Sequence, residues 1–173
     1  KTGEGIGWEY DAFNEIGKRL NLNVEWNLSS WDTMIEAVRQ GQFDVGMDGI
    51  TINDERKQQV DFAGPYYEAG QDLLVKADDD SITGVHDLNG KKVCTVQGST
   101  SLTNVRNQAP QAIITEYTGY SQCADDLRND RVDAVSTDNV ILVGLIANSD
   151  GAFKLVGETF TEEPYGIGLK KGD

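Results

Sequence analysis

Near the start of the chain the apolar positions Tyr10, Phe13, Ile16 and Leu20 recur at three- and four-residue spacing, which predicts a helix over residues 8–20. A short strand is expected at 23–26. Ser30 then offers an N-cap to a second helix carrying Met34, Ile35 and Val38, and Gly41 ends it because glycine tolerates the left-handed conformation. Residues 43–47 read as a buried strand. Beyond a polar loop come a strand at 60–62, a turn at Gly64 and Pro65, an extended segment at 71–76, and an acidic run, Asp78, Asp79 and Asp80, that marks a boundary between two halves. The second half restarts the alternation, with strands expected at 92–96, 112–117 and 132–136 and helices at 99–107, 121–129 and 140–147. Residues 37–44 align without gaps on 126–133, with Arg39/Arg128 and Asp44/Asp133 identical. Helix–turn–strand units share such a likeness as readily as duplicated ones do. Helices alternating with strands indicate an α/β chain with parallel or mixed sheets.

At 173 residues the chain could form one domain or two small lobes, and roughly two thirds of its unfolded surface can be buried. Fifteen Lys and Arg against 29 Asp and Glu leave a net charge of −14, which repels polyanions and argues against a nucleic-acid partner. No stretch approaches the ~20 apolar residues a membrane helix needs, and no charged-then-apolar leader opens the chain. As given it is expected to be soluble, with any leader or lipid anchor lying outside it. Cys94 and Cys123 leave two readings open, one intramolecular disulfide or two separate buried thiols. Neither lies in a C-x-x-C arrangement, and the single His86 does not complete a zinc site, so no metal or cofactor is expected. A pairing would close a loop of about 30 residues, worth roughly 3–4 kcal/mol in the chain-entropy account, and would imply an oxidising compartment.

The loop at 48–56, Asp-Gly-Ile-Thr-Ile-Asn-Asp-Glu-Arg, gathers free backbone groups, a hydroxyl and a guanidinium in one short segment. It leaves the carboxyl end of an expected strand, where open α/β sheets place their ligands. The planar, permanently charged Arg56 can hold a carboxylate through two parallel hydrogen bonds. The loop therefore reads as a receptor for an amino-acid head group.

That loop, continued through Val-Asp-Phe at 60–62, Pro-Tyr-Tyr at 65–67, Gln-Gly-Ser-Thr-Ser at 97–101 and Val-Asp-Ala-Val-Ser-Thr-Asp at 132–138, resembles the family-3 extracellular solute-binding proteins. These deliver polar amino acids to ABC transporters, and the likeness covers nearly the whole chain. The settings of Cys94 and Cys123 are similar to the paired cysteines of a glutamate-type subgroup of Gram-positive relatives, which implies a disulfide. The resemblance also implies a two-lobed fold of the type II periplasmic-binding-protein class, each lobe a mixed, mostly parallel sheet flanked by helices. Lobe 1 would span residues 1–75, lobe 2 residues 76–158, and 159–173 would return to lobe 1, with closure about the strands at 71–76 and near 158–160. It implies a monomeric binding protein rather than an enzyme, periplasmic or held at the cell surface as a lipoprotein. Its partner would be the membrane permease of an ABC transporter.

Position by position, the resemblance implies that Arg56 clamps the ligand α-carboxylate with Thr51 and the backbone amide of Thr100, next to Ser99, at a helix N-terminus, where unpaired amides favour an anion. Asp138 and the Gly49 carbonyl would accept the α-ammonium, Trp31 would stack on the ligand side chain, and Asp48 and Gln97 would line the specificity pocket. Each has a plainer reading: Arg56 in a solvated turn, Trp31 in the core, Asp138 as an N-cap. Trp8, Tyr66 and Tyr67 read as core or rim, and His86 as solvated. The subgroup points to glutamate, whereas an anionic Asp48 suits a cationic or amide side chain, so glutamate, glutamine, arginine and lysine all stay open. Relatives carry a strand and an aromatic loop before the Gly7–Trp8 position and more helix past Lys170, which implies a trimmed chain whose first lobe has exposed sheet edges. Two other readings share the fold: a cyclohexadienyl-type dehydratase, for which Asp48 or Asp138 could serve as acid or base, and the sensory module of a receptor.

Overall fold

The computed structural model describes residues 7–173. The expected first helix forms as α1 (Trp8–Leu20), with Glu9 and Asp11 in its first turn, Lys18 and Arg19 in its last, and Asn21 left-handed after it; charges so placed complement the helix dipole. α2 (Trp31–Arg39) buries Met34, Ala37 and Val38, followed by Gly41 with φ +71°. The segment at 23–26 forms no strand. No described strand lies beside it to take its amides, and Trp26 instead folds onto α1, its indole N–H donating to Asn14 Oδ1 at 3.2 Å and its ring resting on Tyr10 and Phe13. Trp26 and Leu28 are left exposed.

Two sheets follow. The smaller one has the order β1 (Val45–Gly46), β8 (Glu163–Leu169), β2 (Asp61–Ala69), and its described pairings are all antiparallel, unlike the mostly parallel sheet expected. The strand expected at 43–47 shrinks to two residues, and a one-turn helix, α3 (Asp54–Lys57), lies between β1 and β2. The expected turn at Gly64 and Pro65 is absorbed into β2, where pairing with β8 shifts register between Ala63 and Tyr67. Proline has no N–H for a ladder and is tolerated at such an irregularity.

The larger sheet is built from β3 (Gln71–Lys76), β4 (Lys92–Val96), β5 (Ile113–Tyr117), β6 (Ala134–Asp138) and β7 (Phe153–Leu155), in the order β5-β4-β6-β3-β7. β5, β4 and β6 are parallel, whereas β3 and β7 join antiparallel. α4 (Thr100–Gln108), α5 (Tyr120–Arg128) and α6 (Asn139–Ala147) flank it. Alternation along the strands divides its core. Leu73 and Val75 face Val93, Val105 and Ala134 on one side, while Leu74 faces Val135, Leu127 and Leu142 on the other. The second cluster holds Cys94 and Cys123, joined as a disulfide with an S–S distance of 2.00 Å and no exposed surface.

β3 pairs with β6 and β7, so the chain leaves the small sheet at Gly70 rather than after residue 75. The return also differs, since residues 158–160 are not a strand of the small sheet and β8 begins only at Glu163. Instead Val156 N donates to Leu73 O and Phe160 N to Gln71 O, holding the two crossings side by side. They are so close that a Cβ on Gly70 would lie 2.7 Å from Thr159 Cβ and 2.9 Å from Thr161 O.

Candidate functional site

The loop after β1 is anchored by Ile50, which has no exposed surface, and by a β-bridge from Thr51 to Tyr165. Asn53 caps α3, its Oδ1 accepting from the Arg56 amide at 2.8 Å. This single capped turn directs Arg56 inward, and the side chain keeps only 8% of its surface exposed, against the solvated-turn reading. Its Nη1 donates to Thr51 O at 2.8 Å, its Nη2 reaches Gly98 O at 3.5 Å, and the guanidinium lies over the Trp31 ring at 5.5 Å from the centroid. Burial lowers the Arg56 pKa, while the charges of Glu163, Glu55 and Asp138 act the other way.

Asp138 ends β6, and its backbone stands at the N-cap position of α6, yet its carboxylate makes no capping hydrogen bond. Instead Oδ2 accepts from the Tyr165 hydroxyl at 2.5 Å, and Oδ1 is buried with no hydrogen-bond partner. Burial pushes this carboxyl up to about 6, with Glu163 adding to the rise and Tyr165 and Arg56 opposing it. A buried carboxylate oxygen with no donor is costly unless something supplies one.

Asp138 lines a cavity of about 240 Å³ together with Trp31, Asp48, Gly49, Thr51, Ser99 and Thr100. Val96, Ser101, Thr118, Gly119, Tyr120, Thr137 and Ile141 complete its wall. Arg56 lines a neighbouring cavity of about 200 Å³ instead, with Trp31, Ser99 and Thr100 common to both. The two opposite charges therefore line separate cavities on either side of a partition formed by Trp31, Ser99 and Thr100, rather than facing each other across one cleft as the sequence predicts. Ser99 serves as the cap of α4, accepting from Leu102 N at 3.1 Å and donating to Val96 O at 2.7 Å. The N-terminal turn of α4 thus opens onto the cavity. Gln97 lines neither cavity. Its amide donates to Asp32 Oδ2 at 2.8 Å, which draws it towards α2 and away from the expected specificity pocket.

Asp48 is exposed beside the cavity, and the surrounding protein, followed by the charge of Glu9, raises its carboxyl above the usual range. Glu9 accepts from Gly49 N at 3.0 Å and from the Tyr66 hydroxyl at 2.5 Å. Trp8 and Tyr67 form a half-open rim at 45% and 39% exposure, with Trp8 packed on both tyrosines. His86 is exposed. Among the described residues no group of three or more His, Cys, Asp or Glu side chains could hold a metal, and no helix is long and apolar enough to cross a membrane.

Sequence reasoning did not single out Glu163, Tyr165 or Tyr120. Glu163 follows another acid, Glu162, and reads as a solvated charge run, but only 2% of it is exposed. Tyr120 sits near a set of buried hydroxyls, and burial raises its phenol.

Comparison with known proteins identifies what such a cleft resembles. Residues 1–121 match the family described as bacterial extracellular solute-binding proteins, family 3. An ABC transporter glutamine-binding protein of Bacillus subtilis is 38% identical over 175 residues, covering 99% of this chain and 63% of the relative. A glutamate-binding protein of Corynebacterium glutamicum is 40% identical over 156 residues, covering 87% of this chain and 53% of the relative. The chain thus spans roughly half to two thirds of the length of these relatives. Among solved structures, an ancestral arginine-binding protein bound to glutamine superposes with a TM-score of 0.94 at 41% identity, covering 100% of this chain and 77% of that one.

Proposed function

The chain belongs to the bacterial extracellular solute-binding proteins of family 3, and on that premise we propose that it holds one polar amino acid between its two sheets for delivery to the membrane permease of an ABC transporter. The observation that carries this reading is Asp138, a buried carboxylate with one unpartnered oxygen in the wall of a 240 Å³ cavity. An α-ammonium there would supply the missing donor. The ligand carboxylate would lie against the α4 N-terminus and the Thr51–Thr100 wall, which the Arg56 guanidinium backs from the other side. Trp31, common to both cavities, would cover the ligand side chain, and Asp48 would face whatever extends past it.

In this reading the lobes are the two sheets with their helices, and closure occurs about the crossings at 69–71 and 156–163. A zwitterion caught between them meets opposite charges, and the ligand draws the population from open to closed. The site works by binding, without catalysis. The buried disulfide fits an extracytoplasmic setting.

Calorimetry with a panel of amino acids tests the clamp. In this reading closure brings the Arg56 guanidinium from behind the partition onto the ligand carboxylate, so replacing Arg56 by Ala removes a charge-assisted interaction of about 1.5–3 kcal/mol and affinity should fall roughly 10- to 150-fold. Undiminished binding by the variant rejects the reading.

A further inference from the structure

Tyr165 lies in β8 of the small sheet with only 2% of its surface exposed, and its side chain reaches Asp138 at the end of β6 in the large one. The hydroxyl donates to Asp138 Oδ2 at 2.5 Å. A phenol carries one hydrogen, so this donor is committed to that oxygen. The hydroxyl end of the ring also packs against Gly49 in the cavity wall. A Cβ on Gly49 would lie 3.2 Å from Tyr165 Cζ and 3.4 Å from its Oη, and the Gly49 φ of +56° is one that side chains rarely adopt. On its other contacts the ring rests near Tyr66 and Tyr67, with centroids 6.3 and 5.8 Å away, and the Tyr165 backbone bridges to Thr51.

An aspartate at an N-cap ordinarily accepts from an amide of its own helix. Asp138 stands at the N-cap of α6 and makes no such bond. The phenol replaces that amide as donor, and it comes from the opposite sheet. Oδ1 is then left without a partner in the cavity wall, and no Lys or Arg among the described residues forms an ion pair with the carboxylate. Because the bond joins β8 to β6, the arrangement exists only while the two sheets are together.

We infer that Tyr165 is a positioning residue for the ammonium half-site: its hydroxyl holds the Asp138 carboxylate off its own helix, leaving Oδ1 to a ligand ammonium, and its ring braces Gly49 in the same wall. The inference rests on the amino-acid-binding reading above and assigns recognition of a free α-amino group to a contact made between the sheets. Without the hydroxyl the carboxylate is free to fall back onto the α6 amides as an ordinary cap. It is then satisfied inside the chain, and the ammonium meets a weaker acceptor.

Calorimetry on the wild-type chain and Tyr165→Phe tests this. The probes are whichever of glutamine, glutamate, arginine and lysine binds the wild type most tightly, and its α-deamino analogue, which is glutaramic, glutaric, δ-guanidinovaleric or ε-aminocaproic acid respectively. The wild type should favour the amino acid over the analogue by about 100-fold, and Tyr165→Phe should cut that ratio about tenfold or more. A merely structural role for Tyr165 would weaken both compounds alike, and an unchanged ratio overturns the proposal. If Tyr165→Phe does not fold, Gly49→Ala carries the comparison. Its methyl presses on the hydroxyl end of the same ring and should lower the ratio in the same direction, so an unchanged ratio there is equally fatal. A wild type that binds none of the four amino acids, or that holds the analogue as tightly as the amino acid, overturns the underlying reading instead.

Discussion

Replacing Asp138 by Asn should change how the ligand-free chain responds to acid. Carried from its ordinary value of 3.8 to about 6 in the folded chain, the Asp138 carboxyl destabilises the folded state by about 3 kcal/mol when fully ionised. Its folded-state value lies above its unfolded one, so protonation favours folding. The stability it returns appears as pH falls through 6 and is absent well above it. Between pH 7 and pH 5 this group should contribute a gain of about 1.3 kcal/mol. Carboxylates such as Asp126 and Asp61, held below the usual range chiefly by a tyrosine hydroxyl and a backbone amide respectively, lose stability on acidification, but they do so equally in both proteins. The difference between wild type and Asp138→Asn therefore isolates the one group, and the asparagine carbonyl can still accept from Tyr165. Urea melts of both proteins, without ligand, at half-unit steps from pH 7.5 to 4.5 provide the measurement. Relative to the variant, wild-type stability should climb by about 1.3 kcal/mol from pH 7 to 5, and two parallel curves would refute the argument that this carboxylate is buried without compensation.

Removing both cysteines by Cys94→Ala and Cys123→Ala should lower unfolding stability by about 3–4 kcal/mol through the entropy of the opened loop, read from denaturant midpoints under oxidising conditions. Gly70→Ala places a methyl 2.7 Å from Thr159 Cβ at the crossing between sheets; overpacking of this kind should destabilise by roughly 1–3 kcal/mol, whereas an unchanged melting temperature would show that the crossings have room to part.

Local periodicity was enough to place most of the second half. Residues 92–96 form a strand as their apolar pattern predicts, and the helices at 100–108, 120–128 and 139–147 lie within a residue of their expected bounds. Such patterns are set by neighbours a few positions apart, and alternation along β3 likewise foretells which residues meet each core cluster. Residues 23–26 carry strand-like residues too, but a strand also needs a partner to take its amides, and none is described there. The same limit applies to the site. Arg56 and Asp138 were recognisable from their motifs, while their placement on either side of a shared partition was not. Nor was Glu163, whose hydroxyl partner Thr51 lies 112 residues away. From the sequence alone came the order of elements, the acidic balance, the cysteine pair as one of two readings and the head-group loop. Tertiary structure alone decided which charges are buried, which oxygen lacks a donor and which hydroxyls have committed their hydrogens, because desolvation and hydrogen-bond pairing depend on groups brought together from distant parts of the chain.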